Sequence, residues 1–111
     1  MTITPLTPDF SVAPQLRAED FGQLKRDGYR VIVNNRPDGE EPGQPRAAEL
    51  RQAAEAAGLR YAYIPIEPGR MTRQDALALR RILRETEGRV LAFCRTGNRS
   101  MKLWELAGQP D

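Results

Sequence analysis

The chain has 111 residues, the length of one domain, which we take as 1–111. Its hydrophobic content of 40% and charged content of 29% fit a soluble globular protein, and one cysteine with no histidine argues against an internal disulfide and against a zinc site. The net charge of +2 comes from 17 basic and 15 acidic residues that are interspersed along the chain, so no nucleic-acid stripe stands out.

The N-terminal "MTITPLTPDFSV" lacks the basic start and long apolar core of a signal peptide. No apolar run approaches the ~20 residues of a membrane helix. With a single cysteine, a reducing cytoplasm is the expected compartment. Nearly all the basic residues are arginine, only Lys25 and Lys102 being lysines, which we read as coding bias.

Along the chain, "FSVAPQL" (Phe10 to Leu16) contains a short strand. Glu19 and Asp20 favour a helix start, Phe21 and Leu24 share its apolar face, and Gly28 stops it. The β-branched run "YRVIVNN" (Tyr29 to Asn35) predicts a strand, followed by the Pro- and Gly-dense loop "RPDGEEPGQP". Ala47, Leu50, Ala54 and Ala57 recur at helical spacing until Gly58. "LRYAYIPI" (Leu59 to Ile66) predicts the next strand. Thr72 with Asp75 predicts a capping pair opening a helix whose face carries Ala76, Leu79 and Leu83, closed by Gly88. "RVLAF" (Arg89 to Phe93) predicts the last strand. "SMKLWELAG" (Ser100 to Gly108) predicts the last helix, ending near Gly108 and Pro110, with Trp104 facing the sheet.

Strands that alternate with helices imply parallel strands joined by crossovers, hence an α/β fold with a small, mainly parallel sheet flanked by helices. Sites in such sheets form at the carboxyl ends of the strands. Three loops meet that description: Arg36 to Pro45, Glu67 to Met71, and Cys94 to Arg99.

The third carries the chemistry. "FCRTGNRS" sets the lone cysteine, Cys94, between a strand and a helix that Ser100 opens. Such a loop delivers backbone N–H groups to one point, attracts anions and stabilises a thiolate. Arg95 and Arg99 can clamp an oxyanion bidentately. Gly97 permits the turn, Ser100 could hydrogen-bond the thiolate, and Thr96 and Asn98 complete the substrate-binding loop. The plain alternative is a core cysteine packing as a small hydrophobe, which leaves an arginine-bracketed turn unexplained. Arg36, Asp38 and Glu40 sit after a strand at the edge of the site, either steering substrate and orienting Arg99 or forming a solvated turn. Glu67 is a weaker candidate. Tyr61 and Tyr63 read as packing residues, and "RRILRE" (Arg80 to Glu85) as a solvated helix face.

"CRTGNRS" resembles the active-site loop of rhodaneses, with four residues between Cys94 and Arg99, where tyrosine and dual-specificity phosphatases place five and a histidine in the position of Phe93. The surrounding "GYRVIVNNRPDGEEPGQP", "GLRYAYIPIEPGRMT" and "GRVLAFCRTGNRS" resemble the β-lactamase-hydrolase-like, DUF442-type sulfur transferases from about Phe10 to Trp104. The resemblance implies a dual-specificity-phosphatase-like fold, and a metallo-β-lactamase-fold persulfide dioxygenase as partner.

Three functions follow as expectations. In the first, Cys94 takes the outer sulfur of thiosulfate or a small anionic persulfide and passes it to a thiol, with Arg95, Arg99 and the loop amides stabilising the anions and no metal or other cofactor required. In the second, Cys94 forms a phosphocysteine. The resemblance puts Pro68 where a phosphatase would carry its acid, with Glu67 and Asp38 as inexact substitutes. In the third, the chain senses sulfide or persulfides through Cys94, or docks a partner, without turnover.

Overall fold

In the computed structural model, which describes residues 1–108, the apolar runs pair into one five-stranded sheet. The strands are β1 (Thr4–Thr7), β2 (Phe10–Ala13), β3 (Tyr29–Asn34), β4 (Arg60–Tyr63) and β5 (Arg89–Phe93), in the order β1-β2-β5-β3-β4. β2, β5, β3 and β4 run parallel, and β1 turns back antiparallel along the β2 edge. The helices are α1 (Phe21–Arg26), α2 (Ala47–Ala56), α3 (Arg73–Glu85) and α4 (Asn98–Ala107).

Alternation along the central strands divides the core in two. Val31, Val33, Val90 and Ala92 pack in one cluster with Ala76 and Leu79 of α3 and Leu103 and Ala107 of α4. Ile32, Leu91 and Phe93 face the other, with Phe21 and Leu24 of α1 and Leu50 and Ala54 of α2. Strands covered on both faces are apolar throughout, which is why β3 and β5 read as continuous hydrophobic runs. Trp104 is half-buried and stacks on Phe10, with ring centroids 6.1 Å apart. Arg80, read as part of a solvated face, instead donates from Nε to the Ala107 carbonyl at 3.0 Å and ties α3 to α4. No helix among the described residues is long and apolar enough to cross a membrane.

The expected Thr72–Asp75 pair forms: the Asp75 N–H donates to Thr72 Oγ1 at 3.1 Å, and the Thr72 N–H to Asp75 Oδ2 at 2.9 Å. Three boundaries differ from expectation. β1 carries no strand signal, because Pro5 lacks a donor and is tolerated only at an edge. β4 ends at Tyr63, short of Ile66, because Pro65 cannot continue the ladder. The chain is nevertheless held beside β3, with the Ile64 and Ile66 N–H groups donating to the Asn34 and Asn35 carbonyls at 2.9 and 3.0 Å. α4 begins at Asn98 and not Ser100, for a reason that lies in the loop before it. Pro110 lies outside the described residues.

Candidate active site

β5 delivers Cys94 to the carboxyl edge of the sheet, directly beyond Phe93. The turn that follows is set by β2: the Cys94 N–H donates to the Ala13 carbonyl at 3.4 Å, and the Gln15 N–H to the Arg95 carbonyl at 3.3 Å. Gly97 then reverses the chain at φ 96°, ψ −13°, where a Cβ would meet the Ala13 carbonyl carbon and oxygen at 3.4 Å. It is also the residue before α4, and its carbonyl accepts from the Met101 N–H at 3.0 Å. The left-handed glycine thus starts the helix two residues before Ser100 and leaves the first-turn N–H groups pointing back at Cys94.

Cys94 has no exposed surface (0%). Burial pushes its thiol up, but the backbone N–H groups of Ser100, Thr96, Gly97 and Arg99 pull it down, and the net position is below the ordinary 9.0. The Gly97 N–H lies 3.1 Å from Sγ.

Arg99 crosses from this loop to the one after β3. Its Nη1 and Nη2 donate to the two carboxylate oxygens of Glu40 at 2.8 and 2.9 Å, and Nη1 also donates to the Ile66 carbonyl at 2.8 Å. Glu40 accepts again from Arg36 Nε at 2.9 Å. Arg36 is 2% exposed and is completed by Gln15 at 3.0 Å and Glu41 at 3.1 Å. The Arg99 hydrogen bond holds the Glu40 carboxyl below its ordinary 4.5 against the opposing pull of burial, with Arg36 adding to it. Glu40 in turn raises Arg99, and the Cys94 thiolate contributes to the same shift.

The remaining candidates divide. Arg95 is exposed, makes no side-chain hydrogen bond or ion pair among the described residues, and lies with Arg99 between two cavities of about 420 and 450 Å³. Thr96 and Asn98 line the first, and Thr96 Oγ1 accepts from the Asn98 N–H at 3.3 Å. Arg36 lines the second cavity, but at 2% exposure it acts chiefly as a buried strut behind Glu40. The Ser100 hydroxyl does not serve the thiolate: it donates to Asn35 Oδ1 at 2.8 Å, and only the Ser100 backbone N–H turns to the sulfur. Asp38 lines neither cavity, and its carboxylate accepts from the Ala47 N–H at 2.7 Å, at the start of α2. Glu67 is 65% exposed beside Arg70 and lines neither cavity.

Sequence reasoning missed Asn35, whose Nδ2 donates to the Ile64 carbonyl at 2.9 Å while its Oδ1 takes the Ser100 hydroxyl. It also missed the Ile66 carbonyl, and Met71 and Lys102 on the wall of the first cavity. The "NN" ending an apolar strand was the available signal for Asn35; backbone acceptors leave none.

An anion-stabilising thiolate loop with an arginine clamped over it accords with the comparisons. Over residues 2–110 the chain matches the phosphatase-like domain of beta-lactamase hydrolase-like proteins. It is 41% identical over 96 residues to the beta-lactamase hydrolase-like protein of Agrobacterium fabrum, covering 86% of this chain and 22% of that protein. The chain spans only 22–25% of the length of the curated relatives it matches. A crystal structure of a candidate phosphatase from Neisseria meningitidis Z2491 superposes with a TM-score of 0.86 at 34% identity, covering 99% of this chain and 81% of that one. P. aeruginosa TpbA, crystallised with pTyr, shares the fold at 21% identity, with a TM-score of 0.67 over 91% of this chain and 58% of that one. The fold is phosphatase-like, of the tyrosine and dual-specificity kind. The chain belongs to the family of phosphatase-like domains of beta-lactamase hydrolase-like proteins.

Proposed function

We propose that this phosphatase-like domain is a sulfurtransferase, taking sulfane sulfur from thiosulfate or a small persulfide onto Cys94 and passing it to a thiol. The observation that carries the reading is a loop whose N–H groups converge on Cys94 in a site whose carboxyls are both paired with arginine. Among the described residues, the only carboxyls lining the two cavities are Glu40 and Glu41. Glu40 is held ionised between Arg99 and Arg36, and Glu41 pairs with Arg36 at 3.1 Å. A phosphatase releasing an alkoxide needs a general acid. Thiosulfate does not: its leaving group is the sulfite anion.

Cys94 Sγ forms a bond to the outer sulfur of thiosulfate, the S–S bond of thiosulfate breaks, and its electron pair leaves with sulfite. Because Cys94 has no exposed surface, the incoming sulfur must displace what covers Sγ. The loop N–H groups then hold the persulfide anion, and Arg95 and Arg99 hold the sulfite oxygens. Gly97, Thr96, Arg99 and Ser100 contribute their backbone N–H groups to that cradle, and Asn98 lines the cavity beside it. No cofactor enters. The length of the relatives beyond this domain is consistent with a partner that consumes the product persulfide, and we assign a metallo-β-lactamase-fold persulfide dioxygenase to that place, in the cytoplasm.

A phosphatase reading is favoured by the fold and by the Neisseria protein's name. Against it, Pro68 lines both cavities and carries no proton. A sensor would load Cys94 without turnover. The experiment is mass spectrometry after exposure to thiosulfate, with Cys94→Ser as control, beside turnover assays with a thiol acceptor and an aryl phosphate. A persulfide on Cys94 with turnover is expected. Ordinary phosphatase turnover without a persulfide would replace this reading with the second, and loading without turnover with the third.

A further inference from the structure

The cavity beside Arg99 is larger than the sulfur-loading step requires. At about 420 Å³ it falls in the ~300–1,000 Å³ range of sites for organic ligands, whereas thiosulfate and sulfite are anions of a few atoms. Its two walls differ in kind. The segment after β4 offers apolar surface from Ile66, Pro68 and Met71, and α4 offers Asn98 and, one turn along the same face, Lys102. No acidic residue lines it, and its charged residues are Arg95, Arg99 and Lys102. Lys102 is exposed and makes no hydrogen bond or ion pair among the described residues. The neighbouring cavity differs, because Glu40 and Glu41 line it beside Arg36, Arg95 and Arg99, so that Arg36 and Arg99 are already matched to carboxylates.

We infer that this cavity seats an organic thiol carrying a carboxylate as the sulfur acceptor, and that Lys102 selects the carboxylate. The inference rests on the sulfurtransferase reading and names its acceptor class. The aliphatic stem lies against Ile66 and Met71, the carboxylate meets Lys102, and the sulfur end reaches the Arg95 and Arg99 side, beside the loop under which Cys94 is buried, so that transfer requires the loop to admit it to the sulfur. The acceptor thiol loses its proton to solvent. Its thiolate bonds to the outer sulfur of the persulfide, the Cys94 Sγ–S bond breaks, and the electron pair returns to Sγ as the thiolate that starts the next cycle. A carboxylate-bearing persulfide can enter the same seat as donor by the reverse of this step.

The test loads wild type, Lys102→Glu and Arg84→Glu with thiosulfate, removes sulfite, and times discharge to 3-mercaptopropionate and to cysteamine. These acceptors are similar in length and opposite in charge, so the ratio of their rate constants isolates recognition of the charged end. Arg84→Glu makes the same charge change on the exposed face of α3. The ratio should fall about tenfold in Lys102→Glu, one exposed attraction lost and one repulsion gained, and should not move in Arg84→Glu. An equal fall in both variants, or none in either, overturns the inference. Failure of Cys94 to load would count against the sulfurtransferase reading instead. In that event the seat is decided by titrating 3-(methylthio)propionate by NMR: shifts at Met71 and Lys102, weakened in Lys102→Glu, support it, and their absence overturns it.

Discussion

Glu40 grips Arg99 with both carboxylate oxygens, at 2.8 and 2.9 Å, across 59 residues of sequence. The same carboxylate is held from behind by buried Arg36 at 2.9 Å. The loop after β3 therefore aims the arginine of the loop after β5, and the aim depends on the charge of Glu40. In Glu40→Gln the amide presents a donor where two guanidinium groups also donate. Turnover should fall roughly ten- to a hundredfold, the scale of a displaced oxyanion donor, with stability lower by about 1–3 kcal/mol. The stability effect has a pH signature. Because Glu40 is held below 4.5 when folded, its contribution is complete above that value and is lost as pH falls through the lower folded pKa. Denaturant titrations should thus show the two proteins converging on acidification. Lowered stability with unchanged turnover would reduce Glu40 to a structural brace.

The thiol makes a second pH prediction. Burial raises the Cys94 thiol, and the loop amides together lower it by more, to a net position below 9.0. The rate of persulfide formation should rise with pH through a midpoint below 9.0 and then level off. The sign for stability is the same: a thiolate favoured by the fold stabilises it above 9.0, and that share is lost as pH falls through the folded pKa. Cys94→Ser should lack both limbs. A midpoint at or above 9.0 would mean that burial outweighs the amides.

Much of this was legible in the sequence where short-range chemistry decides. β3 and β5 announce themselves as β-branched and apolar runs, and α3 by the Thr72–Asp75 pair, because each signal lies within the element it specifies. Cys94, Gly97 and Arg99 stand in one hexapeptide whose residue types have few purely structural explanations. What could not be read is settled by partners far away in sequence. The Ser100 hydroxyl is claimed by Asn35, 65 residues upstream. Asp38 is drawn to the Ala47 N–H by the start of α2. The start of α4 depends on Gly97 lying against Ala13 of β2. A loop residue's neighbours in sequence do not say which of several acceptors the fold will bring to it.

The two loop arginines should respond differently to lysine. Arg99 uses its planar fork for both oxygens of Glu40 and for the Ile66 carbonyl. A lysine keeps the charge and cannot make that array. Arg95 is exposed and makes no side-chain hydrogen bond or ion pair among the described residues, so Arg95→Lys preserves most of what it offers an anion. The expected losses in kcat/KM are about 10²–10³-fold for Arg99→Lys and roughly threefold or less for Arg95→Lys. Equal, mild effects would contradict the clamp.

Ser100→Ala separates the hydroxyl from the backbone N–H. The hydroxyl is buried and donates to Asn35 Oδ1 at 2.8 Å, while the N–H serves the thiolate. The substitution should cost about 1–3 kcal/mol, by leaving a buried acceptor unpaired. It should leave the midpoint of the pH–rate profile in place, because the N–H remains. A clear rise in the thiol pKa would instead put the hydroxyl on the sulfur.

Gly97→Ala tests the turn that assembles the site. The backbone there, at φ 96°, strains any L side chain, and the added Cβ would sit 3.4 Å from the Ala13 carbonyl carbon and oxygen, at the near edge of van der Waals contact with the β2 backbone. Strain alone is measurable at Gly43, where φ is 78° and a Cβ meets nothing within 4 Å. Gly43→Ala should therefore lose about 1 kcal/mol and keep full sulfur transfer. Gly97→Ala should lose more, about 2–3 kcal/mol, and should also lift the Gly97 N–H from its place 3.1 Å from Cys94 Sγ. With that donor displaced and burial unchanged, the thiol pKa should move back towards 9.0 and the pH–rate profile should shift with it. Thermal melts of both variants and the pH dependence of persulfide formation decide the matter. Matching losses at the two glycines, with the profile unmoved, would mean that the close approach to Ala13 plays no part in holding the thiolate.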